Sequence, residues 1–99
     1  MNDHIANEHK QELCKKMASN LSTLRAKANL SQDELADKLG FSRQTISAIE
    51  GKRRVMPWST FSVIALFFSK DDEIKQLMSV MGILDDEVEN ILSINKRED

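Results

Sequence analysis

Cysteine, proline, glycine and tyrosine are scarce in this 99-residue chain, which has one Cys, one Pro, three Gly and no Tyr. The single Cys14 cannot close an intrachain disulfide, and its neighbours Leu13, Lys15 and Lys16 form no metal or redox motif, so a reducing cytoplasm is the expected setting. Collagen-like and Pro/Gly-rich low-complexity compositions are excluded. The longest strongly apolar run, residues 63–68, is far too short to span a bilayer, and MNDHIANEHK at the N-terminus lacks an apolar signal core. Sustained alternation of apolar and polar residues is also missing, which leaves β-strands without support, and no internal repeat is visible.

What remains is one soluble domain, residues 1–99, with no membrane partner. The overall charge is −2, but its distribution is uneven. Residues 1–54 carry ten Lys/Arg against seven Asp/Glu, a net +3, and residues 55–99 carry four against nine, a net −5. Phosphate contacts are therefore to be sought in the first half.

Apolar spacing predicts an all-α bundle of five or six helices. Leu13, Met17, Leu21, Leu24 and Ala28 form one stripe on a helix from about residue 8 to 27. Ser31 with Glu34 has the pattern of a capping box, and Leu35, Ala36 and Leu39 follow it up to a terminating Gly40. Only Phe41 separates Gly40 from Ser42, a cap for a third helix with Thr45, Ile46 and Ile49 inward. Helix, tight turn and helix thus occupy residues 31–50.

Lys52, Arg53 and Arg54 then form a basic loop, and Pro57 opens a fourth helix so apolar that burial in the core is expected. Ser69 as cap, with Asp71 and Asp72 as an acidic first turn, opens a fifth helix, which stops at Gly82. Asp85, Asp86 and Glu87 open a sixth, with Val88, Ile91, Leu92 and Ile94 on one side, before a charged NKRED tail.

The stretch LSTLRAKANLSQDELADKLGFSRQTISAIEGKR resembles the phage-repressor, Cro-like (XRE-type) helix-turn-helix family, in which Leu-Arg, Leu-Ser-Gln-x-x-Leu-Ala, Gly-x-Ser and Ile-Ser-x-Ile-Glu recur at these spacings. The likeness covers residues 21–53 and weakens through the fourth helix. It implies a lambda-repressor-like fold with a helix-turn-helix core at 21–68, a C-terminal helical extension at 69–99 able to serve in dimerisation, and sequence-specific binding of double-stranded DNA by a bacterial transcriptional regulator, a repressor. No cofactor is implied.

Side-chain chemistry agrees with that implication. On the third helix, Arg43, Gln44, Ser47 and Ala48 lie away from Ile46 and Ile49. Arg43 suits guanine O6 and N7, Gln44 suits adenine N6 and N7, and the Ala48 methyl suits a thymine methyl. Ser31 and Ser42 put the positive ends of two helix dipoles where phosphates can sit. By the resemblance, Gln32 touches the DNA backbone and Arg25 pairs with Glu50 to bridge the first and third helices. Thr45 faces either a phosphate or the edge of the core. Lys52, Arg53 and Arg54 are expected at flanking phosphates, giving salt-dependent affinity. One departure stands out: the family places a residue between its glutamate and its glycine, whereas Gly51 follows Glu50 directly. The loop path cannot be carried over.

A recognition helix of this length covers few base pairs, so a homodimer is expected. Met78, Met81, Ile83, Leu84, Val88, Ile91 and Leu92 either form its interface or fold back onto the first and fourth helices. The rival function is a helical protein-interaction module, for example an antitoxin-like subunit. Enzyme chemistry has little support: no nucleophile elbow or Gly-rich phosphate loop appears. His4 and His9, five apart, lack the three- or four-residue spacing that puts two metal ligands on one helical face. No metal is expected, and both histidines are expected in solvent.

Overall fold

The computed structural model describes residues 6–92, and the expectations for His4, Ile94, the NKRED tail and the Leu92 side chain lie outside it. Six helices follow one another: α1 (Asn7–Ala28), α2 (Gln32–Leu39), α3 (Arg43–Glu50), α4 (Trp58–Phe68), α5 (Asp72–Val80) and α6 (Asp86–Leu92). No strand occurs among the described residues, and none of these helices is long and apolar enough to cross a membrane.

The long α1 is the spine of the bundle, packing against α3, α4 and α5. Its stripe of Leu13, Met17, Leu21 and Leu24 is fully buried, as the three- and four-residue spacing requires. Leu35, Ile46, Ile49, Phe61, Ile64 and Phe68 close the same core from α2, α3 and α4. At roughly 25 cal/mol per Å² of apolar surface, each such side chain contributes about 1.5 to 3 kcal/mol of transfer free energy.

Three helix ends use the left-handed conformation, at Asn29, Gly40 and Gly82. In each the chain turns back with its carbonyls satisfied; the Leu30 amide donates to the Arg25 carbonyl at 2.9 Å and the Ile83 amide to that of Met78 at 2.9 Å. At the end of α3 the same turn appears one residue later than glycine does. Gly51 has φ −83° and Lys52 has φ 62°, with the Lys52 amide donating to Ile49 and the Arg53 amide to Ala48. At this helix end a lysine, not the glycine before it, sits in the left-handed position.

Several expectations need correction. Asp71, in extended backbone, caps α5 by accepting from the Ile74 amide at 3.0 Å, while Ser69 ends α4. Burial of α4 is one-sided: Thr60, Phe61, Ile64, Ala65 and Phe68 are enclosed, but Val63 and Leu66 are 40% and 46% exposed. Met78, Ile83, Leu84 and Val88 are buried in this protomer's own core, with Met81 and Ile91 packed against it, so of the two alternatives they follow the fold-back.

His9 is not free in solvent. It is half-buried in α1, and its Nε2 lies 2.8 Å from Asp85 Oδ2, while Asp85 Oδ1 caps α6 by accepting from the Val88 amide at 2.9 Å. The hydrogen bond to Asp85 raises the imidazole pKa against the opposing effect of burial. For Asp85, burial pushes upward, but the bond from the Val88 amide and the contact with His9 outweigh it and hold the carboxyl below its ordinary value.

Candidate nucleic-acid interface

Two helices with a three-residue joint, Gly40, Phe41 and Ser42 between Leu39 and Arg43, form the centre of the candidate site. Phe41 is half-buried against the core, and its amide donates to the Ala36 carbonyl at 2.9 Å. That contact sets where α3 starts, and burial of Ile46 and Ile49 sets which face it turns outward.

Arg43 and Gln44 are exposed in the first turn of that outer face, and Ser47 and Ala48 are half-buried behind them. Ser42 Oγ accepts from the Thr45 amide at 3.1 Å and contacts Thr45 Oγ1 at 2.9 Å, so Thr45, half-buried, is held to the cap. Arg53 and Arg54 turn back along the same helix: Arg53 Nη2 lies 3.4 Å from Ser47 Oγ, and Arg54 Nη1 lies 3.4 Å from Thr45 Oγ1. Their guanidiniums therefore border the outer face of α3. Lys52 points elsewhere, with Nζ donating to Ser19 Oγ of α1 at 2.7 Å, a partner that nothing in the sequence marks.

Arg25 and Glu50 meet as the family resemblance implies, through Nε to Oε2 at 2.6 Å and Nη2 to Oε1 at 3.0 Å, with both side chains largely buried. Arg25 also donates to the Leu30 carbonyl at 3.0 Å. The amide nitrogen of Gln32 donates to Glu50 Oε1 at 2.9 Å. Glu50 thus joins α1, α2 and α3, and Gln32 spends one of its donors inside this network, leaving its second N–H and its carbonyl for other partners.

The starts of α2 and α3 differ in charge. At α2, Ser31 accepts from the Glu34 amide at 3.0 Å while Glu34 accepts from the Ser31 amide at 2.8 Å, and Asp33 and Glu34 lie in the first turn. The first turn of α3 contains no acidic residue. An anion meets two carboxylates at the first helix and an open dipole end beside Arg43 at the second.

Among the described residues, one group offers three possible metal-ligating atoms within 4.8 Å: His9, Asp85 and Glu87, the carboxylates exposed or nearly so. Cys14 is buried in α1, which pushes its thiol above the ordinary value and keeps it protonated.

Together, the short joint, the outward α3 and the Glu50 network define a helix-turn-helix unit within an all-helical domain. A family model described as "Helix-turn-helix domain" matches residues 18–80, well over half of the chain, and the protein belongs to that family. The match runs past residue 68 and takes in α5. Searches of curated proteins and of solved structures find no match.

Proposed function

We propose that this protein is a sequence-specific double-stranded-DNA-binding transcriptional regulator of the Cro-like type, a cytoplasmic repressor that occupies its site with α3 in the major groove. The observation that carries this reading is the composition of one surface: Arg43, Gln44 and Ser47 on the outer face of α3, an acid-free helix start at Ser42, and Arg53 and Arg54 folded along the same helix. Arg43 and Gln44 read base edges, with Ser47 and Ala48 behind them, each good bidentate pair contributing roughly 1 to 3 kcal/mol of discrimination. Ser42, Thr45, Arg53 and Arg54 meet phosphates beside α3, Lys52, turned toward Ser19 of α1, meets a phosphate flanking them, and Ser31 and Gln32 meet the backbone more weakly because carboxylates surround the start of α2. Arg25 and Glu50 keep the helices in register.

Two copies bind half-sites about one helical turn apart. Their contact is drawn from apolar surface still exposed, Val63 and Leu66 of α4 with Val80 of α5, because Ile74, Met78, Ile83, Leu84 and Val88 are buried within each protomer. Selection of bound sites from a random DNA pool tests the reading: a two-fold-related motif is expected, and no enrichment at low salt refutes it. The net charge of −2 favours the rival, a protein-interaction module. Unchanged DNA affinity in an Arg43→Ala, Gln44→Ala variant with altered partner binding would support that rival instead.

A further inference from the structure

A cleft of about 800 Å³ lies between α1 and the loop that joins α3 to α4. This is the size of small-molecule sites, roughly 300 to 1,000 Å³. Its floor is apolar, formed in part by Cys14, Met56 and Trp58. Trp58 is fixed there by stacking on Phe61, with ring centroids 4.7 Å apart.

The rim carries one sign of charge. Lys10, Lys15, Lys52 and Arg54 line the cleft, and no carboxylate does among the described residues, although acids outnumber bases in the chain by 16 to 14. None of the four makes an ion pair with a described carboxylate. Their partners are neutral: Lys10 Nζ lies 5.4 Å from the centre of the Trp58 ring, Lys52 donates to Ser19 and Arg54 reaches Thr45. Val55, also lining the cleft, is 85% exposed.

We propose that this cleft binds a small amphipathic anion, an aromatic or acyl body bearing a carboxylate or similar head. Its body covers Trp58, Met56 and Val55, and its head gathers the four rim cations, with Lys10 swinging from the Trp58 face to meet it. A DNA phosphate has the charge but no apolar part, and would leave the recessed floor unused. One consequence rests on the DNA-binding reading above. Lys52 and Arg54 are claimed by both phosphate and ligand, so occupancy of the cleft weakens DNA binding, and DNA weakens ligand binding by the same factor.

The probe is 8-anilinonaphthalene-1-sulfonate, compared with its uncharged relative N-phenyl-1-naphthylamine. Trp58 is the only tryptophan, so its quenching reports dye bound near it, and the variants below assign that dye to the cleft. The expected result is one sulfonate bound per chain with Trp58 quenched, and the neutral compound weaker by about tenfold, the equivalent of 1.4 kcal/mol. The Lys10→Gln, Lys15→Gln variant should lose a similar factor for the sulfonate alone, with its thermal melt confirming the fold. Val55→Asp, at an exposed position, should weaken the sulfonate as well. Equal affinity for both compounds, sulfonate affinity unchanged in both variants, or dye emission without Trp58 quenching would overturn the proposal. Adding the sulfonate to a DNA complex should release DNA. If no DNA sequence is bound at all, the regulatory reading fails, while the Trp58 titration still decides the cleft.

Discussion

Ser31 and Ser42 act alike at the starts of α2 and α3, each accepting a bond from the amide three residues on. Their surroundings differ. The α2 start is closed: Glu34 bonds back to the Ser31 amide, Asp33 adds a second carboxylate, and the neighbouring Gln32 is tied to Glu50. The α3 start has no acid in its first turn and is bordered by Arg43 and, through Thr45, by Arg54. One helix end thus belongs to the scaffold and the other is available to an anion. Capping chemistry alone does not distinguish them; the charges placed around it do.

Removing the scaffold should have the largest effect. Glu50→Ala leaves the largely buried Arg25 guanidinium without its charge partner and Gln32 without its acceptor, so a loss of about 3 kcal/mol in unfolding free energy is expected from denaturant melts. A loss below about 1 kcal/mol would mean that the network is dispensable. Next come Arg43 and Gln44, the proposed base contacts. Arg43→Ala or Gln44→Ala should each lower affinity for the preferred site by about 1 to 3 kcal/mol while leaving the melting temperature unchanged, because both side chains are exposed.

Comparing the two caps sharpens the contrast. Ser31→Ala and Ser42→Ala should each cost about 1 kcal/mol of stability. Only Ser42→Ala should also reduce DNA affinity appreciably in a titration at fixed salt. Equal losses of affinity would erase the distinction between the two ends.

Much of this arrangement was legible in the sequence, because helix starts and stops are local. Ser31, Gly40 and Ser42 are each defined by neighbours within a few positions, and the α1 stripe by its spacing. Structure departs from local sequence signals where the local chemistry is degenerate or the partner is distant. Between Ser69 and Asp72, three cap-type residues lie within four positions, and the end of α4 decides among them. His9 finds Asp85 across 76 residues, and Lys52 finds Ser19 across 33, separations at which no periodicity speaks. The all-round apolar sequence of α4 predicts Val63 and Leu66 in the core, but the bundle covers only one side of it.

Smaller effects test the margins. Lys52 occupies a left-handed position that glycine adopts more easily, so Lys52→Gly should raise stability by about 0.5 to 1 kcal/mol despite removing a side-chain hydrogen bond. A decrease in the melt would show that the Ser19 contact outweighs the backbone strain. The His9–Asp85 contact should give the smallest and most pH-dependent effect. Because the imidazole pKa is raised on folding, its contribution is complete below the ordinary histidine value and disappears as pH rises through the folded value. Because the Asp85 pKa is lowered, its contribution is present above the ordinary aspartate value and is lost as pH falls through the folded value. His9→Ala should therefore destabilise more at pH 5 to 6 than at pH 8, and a pH-independent difference in melting temperature would contradict the pairing.

The central claim, that the outer face of α3 reads base edges, is tested most directly by selecting bound DNA sites with the wild-type protein and with Gln44→Ala in parallel. The same half-site spacing is expected for both proteins, with loss of preference at one base position per half-site in the variant. An identical motif from both proteins would contradict it.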